Sequence, residues 1–408
     1  NSKFKSLINL LENLSNLKKL LFRFLKNRNN SVILAPVETT SRDTYWKIRL
    51  FTEIPKSNIL IIGRYEIIND LLGILKSSIY LGKNIIQHGG NLSKKINKKL
   101  NKISNKNNHR IFFIDEEGGL FNLNKFERKK IFIKRHPLDK LPPKTKVFVW
   151  GQEQLKLIKS YYHDHLHDKE IYSTGCPRFR PISENYRKSI KSNMNKKFGE
   201  YILLNSNFSQ STSTSLSEIF SKDLWRNHHE QINHEMIELE TMSLFLQIIE
   251  FLDKTLDNKI KIIIKVHPAE DIRFYNYISS IFKKVLIIGK TDLPISDFII
   301  GSTISISSRC TTSIEAKLLE VPSISIGSKR NNNEIPINSK ELNVYDIEEF
   351  KFKFDFLNKN LKNKNFSNED KNSMKILKNL DDNIKQFTYG IYDKDSCITN
   401  LRDSINDI

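Results

Sequence analysis

The 408-residue chain is 38% hydrophobic and carries 66 Lys and Arg against 46 Asp and Glu, a formal net charge of +20. That length suggests two or three domains with real cores, and the basic surplus favours anionic partners such as phosphates, acidic sugars, membranes or nucleic acid. The cysteines Cys176, Cys310 and Cys397 form no CxxC pair, which argues against a zinc site or a disulfide framework; no apolar run approaches the ~18 residues of a membrane span, and no signal-peptide pattern is visible.

From Leu7, the apolar residues Leu7, Leu10, Leu14, Leu17, Leu21 and Phe24 recur at three and four, with Lys18, Lys19, Arg23, Lys26 and Arg28 among them. This predicts a basic amphipathic helix over residues 1–30. Two uses fit it: peripheral contact with the cytoplasmic face of an inner membrane, or packing on the protein's own body. After Asn29-Asn30 the pattern alternates: strand at 31–37, helix at 43–51, strand at 58–62, helix at 65–75, strands at 83–87, 110–114 and 146–150, helix at 152–162, strand at 170–173. Strands alternating with helices imply a parallel sheet. A polar helix at 184–198 connects to a second half with strands at 201–205, 261–266, 285–288, 298–300 and 323–326 and a long helix at 235–256.

The expected fold class is α/β, two Rossmann-like domains with parallel sheets facing across a cleft. Residues 31–183 are the domain of the acceptor and the catalytic acid, 184–200 a linker helix, 201–330 the nucleotide-binding domain, and 331–408 a C-terminal helical cap.

Four places carry chemistry. Asp115-Glu116-Glu117-Gly118-Gly119 follows a strand directly; its acids suit a general base or a nucleophile, and its glycines let backbone approach a ligand. His267-Pro268 ends the apolar strand that includes Lys265, where an imidazole can hydrogen-bond a leaving phosphate, and Glu270-Asp271 behind it can cap the next helix. Ser302 and Thr303, then Ser305, Ser307, Ser308 and Arg309, lead into Thr311-Thr312-Ser313 and Glu315; such hydroxyls at a helix start bind phosphate oxygens or cap the helix, and Glu315 closes a capping box or holds a ribose hydroxyl. His88-Gly89-Gly90 is a glycine turn of the first half that suits acceptor or donor. His163, His165 and His167 alternate but read as a solvent-facing helix end, and with no HExxH, P-loop or strand-end Asp-X-Asp, no metal or cofactor is called for. A non-enzymatic basic module binding RNA or membrane accounts for the charge but not for strand-end acids, which repel a phosphate backbone.

In order along the chain, Val37-Glu38-Thr39-Thr40-Ser41-Arg42-Asp43, Asp115-Glu116-Glu117-Gly118, Val149-Trp150-Gly151, Thr174-Gly175-Cys176-Pro177-Arg178-Phe179, Leu204-Asn205-Ser206-Asn207-Phe208, Val266-His267-Pro268-Ala269-Glu270-Asp271 and Cys310-Thr311-Thr312-Ser313-Ile314-Glu315-Ala316 resemble the bacterial surface carbohydrate biosynthesis proteins. The likeness spans residues 31–330. The acid-acid-Gly, His-Pro and Ser/Thr elements are also similar to those of GT-B glycosyltransferases that use CMP-activated acidic sugars, the bacterial sialyltransferases and capsular Kdo transferases. The resemblance implies Glu116 as catalytic carboxylate, His267 as phosphate-binding residue and Thr311 to Ser313 as the CMP site, in a cytoplasmic, metal-independent transferase acting on a glycan or lipid-linked glycan. Related GT-B-like enzymes, a CDP-polyol phosphotransferase or a UDP-sugar epimerase, keep the same His-Pro and hydroxyl sites.

Overall fold

The computed structural model of the protein describes residues 32–37, 40–53, 59–72, 75, 77–83, 91–104, 109–116, 133, 141–142, 145–162, 170–177, 179, 183–208, 211–212, 228–268, 270–291, 293–308, 310–330, 343–362 and 401–403. The predicted amphipathic helix of residues 1–30 and the three histidines at 163–167 lie outside them. The chain divides into two compact units: described residues up to Glu116, then 133–177 and 401–403, make the first, and 179–362 the second.

The first unit is built on the strands β1 (Val32–Pro36), β2 (Ile59–Gly63), β3 (Ser78–Gly82), β4 (His109–Ile114), β5 (Lys146–Val149) and β6 (Glu170–Ser173). All pair in parallel, in the order β2-β1-β3-β4-β5-β6. The crossovers contain α1 (Thr40–Glu53), α2 (Tyr65–Leu72), α3 (Asn91–Ser104) and α4 (Gln152–Tyr161). Most of these strands are near-continuous apolar runs because helices cover both faces of such a sheet. One layer of the core joins Ile33, Ile79, Leu81, Phe112, Ile114 and Phe148 to Trp46 and Leu50 of α1 and to Leu401 from the far end of the chain.

Two differences from the sequence pattern stand out here. The third strand is Ser78–Gly82: Ile79, Tyr80 and Leu81 are fully buried, and Lys83, where the strand is expected to begin, follows it, while 84–87 lie outside the described residues. The lysine-rich stretch after it forms α3, whose apolar Ile96 and Leu100 stand one turn apart and are buried, while Lys99 Nζ donates to Asn69 O at 2.6 Å.

The second unit is built on β7 (Tyr201–Asn205), β8 (Lys261–Lys265), β9 (Val285–Ile288), β10 (Ser305–Ser308), β11 (Ser323–Ile326) and β12 (Asn343–Val344). They too are all parallel, in the order β12-β11-β10-β7-β8-β9. Its helices are α5 (Glu184–Phe198), α6 (His228–Thr255), α7 (Ile272–Ile281), α8 (Ile295–Gly301), α9 (Thr312–Leu318) and α10 (Ile347–Lys362). Strand alternation sends Ile202, Leu204, Ile262, Ile264 and Ile306 to the layer of α6, α7 and α10, and Tyr201, Leu203 and Ile263 to that of α5 and α8.

Residues 298–300, expected as a strand, belong instead to α8, which Pro294 starts and whose last four residues are all buried. The strand slot goes to Ser305–Ser308, a sequence too rich in serine to read as a core strand. The helix expected as a linker, α5, places Ile190, Met194 and Phe198 in the second unit's core. Within the segment expected as a helical cap, α10 adds Phe350, Phe354 and Leu357 to that core.

Candidate functional site

Counting from β7, the second sheet has the order 6-5-4-1-2-3, so the winding direction reverses between β7 and β10. In open α/β sheets ligands bind outside the carboxyl ends of the strands at such a switch point. Asn205 ends β7, His267 follows β8, and Ser307 and Ser308 end β10, so the chain delivers its polar residues to this place.

The loops there are tied together through backbone. Ser206 Oγ donates to Lys265 O at 3.4 Å and accepts the His267 N–H at 3.1 Å, so the ends of β7 and β8 share one hydroxyl. The Glu270 N–H donates to His267 O at 3.0 Å, closing the His-Pro turn. Glu270 does not cap α7. Its carboxylate accepts the Phe208 N–H at 2.6 Å and the Tyr275 hydroxyl, and burial pushes it above the ordinary carboxylate range. Asp271 is the cap, accepting the Arg273 N–H at 2.9 Å, and the Arg273 guanidinium beside it holds its carboxyl low.

A transverse row of polar residues crosses the sheet just below this edge. Asn343, Ser325, Ser307, Asn205 and Lys265 are successive register partners on five adjacent strands. Asn205 Nδ2 donates to Ser305 Oγ at 3.2 Å and Ser307 Oγ at 3.4 Å, and Thr312 Oγ1 donates to Ser307 Oγ at 3.0 Å. Asn205 is 3% exposed, and its Oδ1 has no hydrogen-bond partner among the described residues; the same holds for Ser308 Oγ at the end of β10. Buried polar atoms left over in this way are places where a ligand or water completes the pairing. Lys265 Nζ donates to Gly289 O at 2.6 Å, and burial holds its ammonium below the ordinary lysine value.

The hydroxyl run at the start of α9 is not a side-chain cap. Thr311 makes no side-chain cap bond, Thr312 faces Ser307, and Ser313 Oγ donates to Cys310 O at 2.9 Å. Glu315 is buried and its N–H donates to Thr311 O at 3.2 Å. Ser302 and Thr303 lie elsewhere. They precede β10 at its amino end, where Ser302 Oγ donates to Ile299 O and the Thr303 N–H to Tyr201 O, so the structure does not bring them to the edge that holds His267 and Thr312. Pro268 is exposed beside His267. Arg309 and Arg178 lie outside the described residues.

In the first unit the acids separate by role. The Asp115 N–H donates to Phe148 O, its carbonyl accepts Trp150 Nε1 at 2.5 Å, and its carboxylate accepts Gln154 Nε2 at 2.8 Å. Asp115 is thus woven into the β4–β5–α4 framework. Glu116, 6% exposed, has Lys47 Nζ 3.4 Å from its Oε1. Glu117, Gly118, Gly119, His88 and Gly89 lie outside the described residues.

Several of these participants were not visible in sequence. Lys47 carries no motif of its own, although Asp43 and Lys47, four apart beside Trp46 and Leu50, mark a polar pair on the buried face of α1, and Ser206 stands within the Leu204-Asn205-Ser206-Asn207-Phe208 motif with no role assigned to it. Glu235, on the buried stripe of α6, is 2% exposed with neither carboxylate oxygen partnered among the described residues. Burial, with Glu238 next to it, pushes it up to about 7. Among the described residues no three His, Cys, Asp or Glu side chains gather in a metal-ligating arrangement, and no helix is long and apolar enough to cross a membrane.

No family model matches the chain, and no curated protein matches it in sequence. Solved structures do match in fold. The wall teichoic acid polymerase TagF is similar at TM-score 0.55 with 11% identity, over 99% of this chain and 96% of that one; a TagF His→Asn variant with CDPG gives 0.53 and 10% over the same shares. The UDP-GlcNAc 2-epimerase from Neisseria meningitidis bound to UDP-GlcNAc is similar at 0.52 and 10% over 92% and 99%, and the S. aureus MnaA-UDP co-structure at 0.51 and 10% over 93% and 98%. The fold is therefore of the GT-B type, two Rossmann-like α/β units, as the ordered motifs led one to expect.

Proposed function

We propose that the chain is a metal-independent GT-B glycosyltransferase of surface polysaccharide synthesis, taking its sugar from a nucleotide-activated donor. The observation that carries this reading is the convergence of His267, Asn205, Ser307 and Thr312 on the switch point of the second sheet, with Asn205 Oδ1 and Ser308 Oγ there unpaired among the described residues. His267 hydrogen-bonds the donor phosphate, the hydroxyls of Thr311 to Ser313 turn to bind its oxygens, those of Thr312 and Ser313 giving up their bonds to Ser307 Oγ and Cys310 O, and Glu315 holds the ribose. Breaking the bond to the leaving nucleotide develops negative charge on phosphate and positive charge at the anomeric carbon. His267 answers the first, and Glu116 of the first unit answers the second, as base toward the acceptor hydroxyl or as nucleophile. Asp115, occupied in the framework, stands behind it.

For the donor we infer a CMP-activated acidic ulosonic sugar such as Kdo, on the strength of the ordered motifs and of a +20 chain suited to acidic ligands. The acceptor is a glycan or lipid-linked glycan, the location the cytoplasm, and the basic residues 1–30 suit the inner membrane surface. Two neighbouring activities are supported by fold likeness alone: transfer of a polyol phosphate from a CDP-linked donor, since TagF with CDPG matches along 99% of the chain, and UDP-sugar epimerisation. Incubation with CMP-, CDP- and UDP-linked donors and chromatography of the products separates the three. Release of CMP with a new glycoside is expected. CMP with a phosphate-linked product moves the assignment to the phosphotransferase, and an epimerised sugar without transfer moves it to the epimerase.

A further inference from the structure

We propose that Lys47 is the positioning residue of the Glu116 carboxylate, an internal counter-ion fixed at the switch point of the first sheet. The proposal rests on the reading of Glu116 as the catalytic carboxylate. In that sheet β1 leads to β2 on one side while β3 continues on the other, so the reversal lies between β1 and β3. Lys47 projects from α1, the crossover that leaves β1. Its Nζ donates to the carbonyl of Pro36, the last residue of β1, at 2.5 Å and stands 3.4 Å from Glu116 Oε1, two residues past the end of β4. One side chain thereby links the ends of two strands that β3 separates. The fit is close: a Cβ added to Gly82, at the end of β3, would meet Pro36 Cγ at 2.5 Å.

Lys47 is 1% exposed, and of the other lysines and arginines among the described residues only Lys83 and Lys317 are buried, so its burial needs a local cause. Taking an ammonium and a carboxylate out of water is unfavourable unless each compensates the other, and removal of one weakens the compensation of the other. Among the described residues, the other charged groups buried at these strand ends are Asp43, one turn before Lys47 on α1, Lys83 after β3, and Asp115, which Gln154 holds. A pair kept for stability alone would affect only folding. A pair that aims a reacting carboxylate must also set turnover.

The test is a cycle on the full chain of Lys47→Met, Glu116→Gln and the double variant. Lys47→Met should lower kcat by about 10²-fold, the scale of losing one electrostatic contact in a reacting site, with acceptor KM and the nucleotide-induced rise in Tm unchanged. The double variant should be no slower than Glu116→Gln and should melt above Lys47→Met, because the buried carboxylate that loses the Lys47 ammonium is then neutral as well. Wild-type kcat in Lys47→Met, or losses that multiply in the double variant, would overturn the proposal. Should Lys47→Met not fold, Lys47→Arg decides: kept charge with shifted geometry lowers kcat at constant KM, and an unchanged kcat contradicts the role. A wild-type chain that transfers nothing removes the transferase reading instead. The Tm coupling of the pair, read without substrate, then decides whether Lys47 and Glu116 hold each other.

Discussion

Asn205 and Ser307 are register partners on β7 and β10, and the amide of Asn205 donates to the hydroxyl that also receives Thr312. The start of α9 is therefore anchored to the centre of the sheet by side chains, while its own N-terminus has no side-chain cap bond from Thr311. Thr311→Val with Thr312→Val should weaken nucleotide affinity by about 1–3 kcal/mol, the worth of hydrogen bonds to charged groups. Calorimetric titration and thermal melting of one sample check this. A fall in stability with unchanged affinity would return these hydroxyls to a purely structural role.

The His267 turn is held through its backbone, by Ser206 Oγ on the N–H and by the Glu270 N–H on the carbonyl. Substitution of the side chain leaves those bonds in place. His267→Ala is expected to lower turnover by roughly 10²-fold while keeping Tm within a few degrees. Steady-state kinetics beside a melting curve measure both, and near-wild-type turnover would remove His267 from the phosphate.

Much of this was legible in sequence for a physical reason. Apolar runs such as Ile262-Ile263-Ile264, flanked by Lys261 and Lys265, suit buried parallel strands, and the motifs stand where those strands end. What was missed follows from composition. Ser305–Ser308 looks polar, yet its hydroxyls are buried and Ser305 and Ser307 accept from Asn205, a tertiary pairing that no local pattern announces. Phe298-Ile299-Ile300 looks like a strand, but a short helix buried on every side has the same sequence signature. Ser302 and Thr303 are continuous with the hydroxyl run in sequence, but the strand Ser305–Ser308 separates them by its whole length. Lys47 is one lysine among many, and its buried pairing with Glu116 distinguishes it.

Glu270 joins the loop after β7 to the His-Pro turn. Glu270→Ala leaves the Phe208 N–H without its acceptor and should cost about 1–3 kcal/mol in chemical denaturation. Because the loop it holds borders the switch point, nucleotide affinity should fall as well. Unchanged stability would show that the Phe208 amide finds another partner.

Glu235 gives the protein a distinct pH dependence. Its carboxyl, ordinarily near 4.5, is pushed up to about 7 in the folded chain by burial and by Glu238. Between those values the native state holds a proton that the unfolded chain has released, so stability falls as pH rises and levels off above about 7. Glu270, also raised, acts in the same direction. Glu235→Gln should flatten this slope and add on the order of 2 kcal/mol above pH 7. Melting temperatures from pH 5 to 8 for both proteins measure it, and parallel curves would contradict the burial of a neutral acid.

The central claim is that a nucleotide phosphate sits at the carboxyl edge of the second sheet. A nucleotide bound only by the folded state must raise Tm, adding stability that grows with the logarithm of its concentration over Kd and reaches about 2.7 kcal/mol at a hundredfold excess. The most direct measurement is thermal shift of the full chain against CMP, CDP, UDP and GDP, repeated on His267→Ala and on the Thr311/Thr312 double valine variant. The account predicts a rise with cytidine nucleotides that both variants lose. No rise with any of the four, or a rise that both variants retain in full, would contradict it.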